Sequence, residues 1–276
     1  MGRQFPLTTT PGISDAATRW LAGERWDEAP PRRASTVMLV RDGTAGPEVF
    51  MLRRVSGMAF APSTMVFPGG GVDPRDVGSD VPWAGPSAAD WAVRLGCSPA
   101  EAQGYVAAAV REVFEECGVL LAGPAPDGPL ARVDDPSWRE VRERLVDRRL
   151  SLAEVLVEHD LVLRSDLIVA KAHWLTPVFE PRRYDTWFFA ALMPDSQVAD
   201  GHTTEADHAD WFVPGTLLGA YAAGTALMLP PTVICVEQIR DAPCAADVVV
   251  HSEALPLIMP EVVDGAEGPA MEVVER

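Results

Sequence analysis

Nothing in this sequence of 276 residues is long and apolar enough to span a bilayer, which takes about 18 or more consecutive apolar residues. Basic residues are few, 23 Lys and Arg against 40 Asp and Glu, and none of them form a run. A formal net charge of -17 excludes the cationic surface that a nucleic acid or an anionic membrane requires. The cysteines, at 97, 117, 235 and 244, make neither a CxxC pair nor a dense framework, and no apolar segment stands at the N-terminus. Reduced thiols in a cytoplasmic protein are therefore expected. The final Val-Glu-Arg is not a peroxisomal address. What is present is 47% hydrophobic residues, enough for one large domain with additions. In so acidic a chain an anionic ligand has to be met by local cations.

Residues 98 to 119 carry the strongest local signals. Ser98 reads as a helix N-cap, with Pro99 at the first helical position and Glu101 three residues on, a capping box. Gly118 stands where a helix C-terminus wants a left-handed residue. With both ends fixed, Glu112, Glu115 and Glu116 fall at i, i+3 and i+4 and share one face. Their repulsion is relieved nearby only by Arg111, four before Glu115. A hard divalent cation such as Mg2+ would turn that repulsion into coordination. The alternative is a solvated acidic helix face. Cys117, beside Glu116, reads as structural rather than nucleophilic, since no histidine is near it in sequence.

Upstream, Met65-Val66-Phe67-Pro68-Gly69-Gly70-Gly71-Val72-Asp73-Pro74 is a short apolar run broken by proline and three glycines. Taken together, these segments resemble the Nudix hydrolases, whose pattern is G-x5-E-x7-R-E-U-x-E-E-x-G-U with U a bulky aliphatic. REVFEECGV at 111 to 119 matches the second half at every fixed position, and the first half matches from Gly70 with Asp76 in place of glutamate. Between Asp76 and Arg111 lie 34 residues where the pattern has seven. An interrupted box is similar to that of the acyl-coenzyme A diphosphatase branch. Further similar segments are Ala172 to Pro177, Arg182 to Phe189 and Leu229 to Thr232, so the likeness spans about residues 34 to 240.

The resemblance implies an α/β/α sandwich with a mixed sheet, plus a helical insertion within the motif. It implies hydrolysis of a diphosphate bond in a nucleoside diphosphate linked to a group X, with Mg2+ or Mn2+ held by Glu112, Glu115 and Glu116. Arg111 would hold a glutamate through a forked hydrogen-bond pair, one glutamate could act as base, and Gly69, Gly70 and Gly71 would shape the turn beside the diphosphate. The expected partner is a small nucleotide, and a homodimer is open. Coenzyme A or its acyl esters come first as substrate. ADP-ribose or a nucleotide sugar is the alternative, because residues 56 to 64 lack a clear copy of the coenzyme A motif. A catalytically silent nucleotide sensor is the third reading.

In chain order, residues 1–33 are expected to form an arm around a short helix, 34–260 the domain, 77–97 the insertion and 261–276 an acidic, loose tail. Ala34–Arg41 and Val49–Val55 read as a hairpin ending in Arg53-Arg54. Adjacent strand residues face opposite ways, so at most one of these arginines enters a cleft; the other reading is a solvated strand end. Met58 and Phe60 offer faces to an adenine or a pantetheine arm, or anchor the loop. The insertion holds Trp83 and Trp91, which either pack it down or make it a lid. Arg182 and Arg183 are candidate substrate contacts by the resemblance, against simple salt bridging. Glu205, in a loop after the motif helix, is the first choice for an additional acid.

Overall fold

The computed structural model describes residues 2–7, 11–57, 61–78, 80–251 and 255–274; Met58 and Phe60 lie outside them. The chain opens with β1 (Arg3–Pro6) and α1 (Pro11–Leu21), then enters the hairpin of β2 (Arg32–Gly43) and β3 (Gly46–Arg54). Side chains of this hairpin alternate between two cores. Val37, Leu39, Phe50 and Leu52 join one, and Met38, Val40, Val49 and Met51 the other. Strands buried on both faces need a layer on each side, which is the sandwich the sequence implies. Two short strands extend the hairpin, β4 (Met65–Val66) on β3 and β5 (Gly69–Gly71) on β2.

A 3-10 turn at Pro74–Asp76 leads into the insertion, where β6 (Trp83–Ala84) is followed by α2 (Ala88–Leu95) and the motif helix α3 (Pro99–Cys117). Both helices start with a full capping box, Ser87 with Asp90 and Ser98 with Glu101, and both end on a left-handed glycine. Each such cap is worth about 1 kcal/mol, enough to fix where α3 begins and hence which way its acids face. The insertion is packed down rather than raised as a lid. Trp91 is fully buried edge-on to Phe189 at 5.9 Å, and none of the described residues of 77–97 lines the cleft beside the acids.

Beyond α3 come β7 (Ala122–Gly123), α4 (Ser137–Val146), α5 (Leu152–Glu158) and β8 (Val162–Arg164), with β8 joining β6 and β7 in a small sheet. β9 (Ile168–Leu175), β10 (Tyr184–Leu192) and β11 (Ala206–Phe212) complete the main sheet. The chain then runs through α6 (Pro214–Ala222), α7 (Pro230–Asp241), α8 (Ala245–Val248), β12 (Leu257–Ile258), β13 (Glu261–Gly265) and β14 (Gly268–Val273). The main sheet has the order β11-β3-β2-β10-β9-β12, mixed because β10 runs parallel to β2 and β12 parallel to β9.

One element appears that the sequence did not signal: residues 206–212 form an edge strand on β3. One expectation changes. The acidic tail is ordered through Val273, because Met271 and Val273 turn into the second core beside Phe5 while Glu272 faces out. β14 thereby pairs with both β13 and β1, binding the two ends of the described chain into one three-stranded sheet.

Candidate active site

The last two turns of α3 deliver the acids to a cleft of about 940 Å³. Arg111 is buried and its guanidinium serves three carboxylates. Nε donates to Asp76 Oδ1 and Oδ2 at 3.3 and 3.2 Å, and Nη2 to Asp76 Oδ2 at 3.1 Å and to the Gly71 carbonyl at 2.7 Å. Nη1 donates to Glu112 Oε1 at 2.8 Å and Glu115 Oε1 at 3.1 Å. The forked pair expected on a glutamate thus closes on Asp76, the residue standing where the pattern has glutamate. This clasp brings the two halves of the interrupted motif together across the insertion. Asp76 is held from its other side by the Asp73 backbone N–H at 2.9 Å.

Glu116 turns the other way and accepts the Gly69 N–H at 2.8 Å. At Gly70 a Cβ would lie 2.5 Å from Glu112 Oε1, so a larger residue there would push that carboxylate out of place. Gly69, Gly70 and Gly71 all line the cleft with Glu112 and Glu115.

One guanidinium does not neutralise this many acids. Burial, opposed by Arg111 and reinforced by Glu115, pushes Glu112 up to about 7. Burial likewise raises Glu115, against the pull of Arg111. Glu116 lies well above the ordinary range through burial and then the charge of Glu112, despite the Gly69 N–H. Glu205, exposed at the cleft rim just before β11, adds its repulsion to all three. For Arg111, burial works against the charge, but Glu112, Asp76 and Glu115 outweigh it and the guanidinium is held charged.

The other predicted residues divide. Arg54 lines the cleft, with its Nε buried and without a hydrogen-bond partner among the described residues. Arg53 points the opposite way and pairs with Asp207 at 2.6 Å, so it is not a cleft residue. Arg183 is also corrected. Its buried guanidinium donates to the carbonyls of Thr176 at 3.0 Å and Ala29 at 3.2 Å, tying the β9–β10 connection to the segment ahead of β2. Neither Arg182 nor Arg183 lines the cleft.

Sequence reasoning missed other cleft cations, Arg32, Arg33, Arg75 and Arg148. Arg32-Arg33, at the head of the strand that β5 pairs with, was the available signal. It also missed Glu180, for which the sequence carries no local sign.

The donor chemistry fits a hard cation, since carboxylate oxygens held short of charge balance are what such ions take. Among the described residues no three His, Cys, Asp or Glu side chains are gathered into a ready-made metal cage. Glu112 and Glu115 are engaged by Arg111, and Glu116 by Gly69. Among the described residues no helix is long and apolar enough to cross a membrane.

Comparison with known proteins places the chain in a family. The chain is 28% identical over 202 residues to putative nudix hydrolase 7 of Caenorhabditis elegans, covering 73% of this chain and 58% of the worm protein. It is 25% identical over 253 residues to the acyl-coenzyme A diphosphatase NUDT19 of Homo sapiens, covering 72% of this chain and 66% of that one. The chain thus spans about three-fifths of the length of these curated relatives. The crystal structure of a NUDIX hydrolase from Alicyclobacillus acidocaldarius superposes with a TM-score of 0.65 at 25% identity, over 82% of this chain and 99% of that one. The NUDT19 Nudix domain family matches residues 99–239, from the first turn of α3 to the last turn of α7, and so with its interrupted box closed by Asp76 and Arg111 the chain belongs to the NUDT19 branch of the Nudix superfamily.

Proposed function

We propose that this chain hydrolyses a diphosphate bond in a nucleoside diphosphate linked to another group, with coenzyme A or an acyl-coenzyme A as the substrate and Mg2+ or Mn2+ as the cofactor. The observation that carries this reading is the convergence of Glu112, Glu115 and Glu205, with Glu116 buried behind them within reach of their charge, on a cleft that also holds Arg32, Arg33, Arg54 and Arg75, in a protein of net charge -17. Acids alone repel a diphosphate, and arginines alone would bind it without activating water. Both together on one wall suit its hydrolysis.

Glu112, Glu115 and Glu116 are the residues to hold the metal, which when bound screens diphosphate oxygens and acidifies a water. Arg111 keeps Glu112 and Glu115 on the cleft side of α3 and fixes their oxygens. Arg54, its Nε without a partner among the described residues, is suited to a phosphate oxygen. Glu205, exposed at the rim, takes the proton of the attacking water on a carboxylate oxygen. The free thiols of Cys97, Cys117, Cys235 and Cys244 suit a reducing compartment such as the cytoplasm.

The names of the vertebrate relatives favour coenzyme A esters. ADP-ribose or a nucleotide sugar is the second reading, favoured by the missing coenzyme A motif in residues 56–64. The test is a panel of coenzyme A, acyl-coenzyme A, ADP-ribose and dinucleotides with each metal, read by product mass. Hydrolysis of a coenzyme A compound into adenosine 3′,5′-bisphosphate and a phosphopantetheine is the expected result. Silence across the panel would leave a nucleotide sensor.

A further inference from the structure

Glu180 is the one acid of the cleft wall that the described protein leaves without any partner for a buried oxygen. It lies between Phe179 and Pro181 in the β9–β10 connection, in a backbone turn closed by its own N–H on the Pro177 carbonyl at 3.2 Å. The residue is only 4% exposed, and Oε1 has no hydrogen-bond partner among the described residues. It lines the same cleft as the α3 acids, which Trp174, Phe188, Pro230 and Pro231 also line. These flat apolar groups are unlike the arginines that could meet phosphates, and they suit an uncharged, partly planar group.

A buried carboxyl oxygen left without a hydrogen-bond partner is costly to keep in a folded protein. Burial alone, with no neighbouring charge contributing, pushes Glu180 up to about 7. Near neutrality it therefore exists partly as the acid, which offers an O–H donor beside a carbonyl acceptor. That pair is complementary to an N–H next to an acceptor, as in an amide or the edge of a nucleobase. It is a poor match for a phosphate, which carries no donor when ionised.

We propose that Glu180 is a specificity-determining residue that recognises, by paired hydrogen bonds, a planar N–H-bearing edge in the non-phosphate part of the substrate. This rests on the nucleotide reading of the cleft for the ligand, though not on turnover. In a coenzyme A compound the edge has two sources, the adenine or the pantetheine amides.

The experiment titrates adenosine 3′,5′-bisphosphate, 4′-phosphopantetheine and inorganic pyrophosphate into the wild-type protein, Glu180→Gln and Glu180→Leu by calorimetry. Glutamine keeps a donor beside an acceptor, and leucine removes both. One half-ligand is expected to bind about tenfold or more weakly to Glu180→Leu and within about threefold to Glu180→Gln, with pyrophosphate unchanged. The half-ligand affected identifies the source, base or amide. Equal binding of both half-ligands to all three proteins, or no binding of either to the wild type, overturns the proposal. An equal loss of pyrophosphate overturns it too. The melting temperature of Glu180→Leu should match or exceed that of the wild type, and a fall of more than about 5 °C would make Glu180 a structural partner and overturn it as well. Half-ligand discrimination without turnover in the substrate panel would sink the hydrolase reading alone. Turnover with an unchanged KM in Glu180→Leu would sink this one alone.

Discussion

α3 faces the half-buried Asp185 at one end and a cluster of acids at the other, and they are compensated in opposite ways. Near its N-terminal half, Tyr105 donates its hydroxyl to Asp185 Oδ2 at 2.9 Å, while His173 Nε2 meets Asp185 Oδ1 at 2.5 Å and stacks its ring on Trp187 at 4.0 Å. This network faces a second cavity of about 910 Å³, which adjoins the cleft at Arg33, Val72, Asp73 and Pro74. Burial alone would raise Asp185, yet the hydrogen bonds of His173 and Tyr105 and the charges of His173 and Arg33 carry it below the ordinary range. Six residues further along, Arg111 is shared among Asp76, Glu112 and Glu115, and those carboxyls stay raised. The difference separates an anchor from a binding site. Where each oxygen is supplied with a partner the fold is complete in itself, and where repulsion is left standing a ligand charge has somewhere to go.

The comparison breaks most visibly at the unsupplied acids. Glu115→Gln and Glu116→Gln should each lower kcat by about 100-fold or more, since they remove groups proposed to act on the reacting diphosphate. Melting temperature should hold or rise, because each change relieves like-charge repulsion. Unchanged turnover, read by product mass, would remove these residues from the chemistry.

Asp185→Asn should do the reverse, costing about 1–3 kcal/mol in urea unfolding while leaving kcat within a few-fold. The pH dependence sharpens this contrast. Asp185 is held below its ordinary value of 3.8, so the folded state binds its proton more weakly than the unfolded chain. The stability it supplies is present above 3.8 and is lost as pH falls through the folded value. The wild type should therefore lose its advantage over Asp185→Asn on acidification, as measured by urea midpoints at a series of pH values. Parallel pH profiles would mean that His173 and Tyr105 do not hold the charge.

The smallest effect belongs to the arginine pair at the end of β3. Arg53→Ala, half exposed and bonded to Asp207, should change stability by less than about 0.5 kcal/mol and leave KM alone. Arg54→Ala should raise KM by about tenfold. Equal KM values for the two variants would erase the distinction between the faces of this strand.

Much of the site was legible because its signals are local. The capping box at Ser98 and the left-handed Gly118 fix the ends of α3, and helical geometry alone then gathers Glu112, Glu115 and Glu116. Strand alternation likewise foretold that at most one of Arg53 and Arg54 enters the cleft, and Arg54 is the one that lines it. What was not legible depends on distant packing. β11 is an edge strand with several exposed residues, so Asp207, His208 and Asp210 hide the alternation that marks a half-buried strand. β1 is four residues long and gains its place only from β14, more than 260 residues away in sequence. Glu180 looks like an ordinary loop acid until β9, β10 and α7 close around the cleft, and Arg183 looks like a solvent cation until Thr176 and Ala29 present their carbonyls.

The clasp between Asp76 and Arg111 has one more consequence. Because these side chains grip each other at the foot of the insertion, the acids take their bearings from that grip as well as from the cap at Ser98 and the far end of α3. A break in the backbone between Asp76 and Ser98 would therefore leave the two halves of the site still fastened to each other.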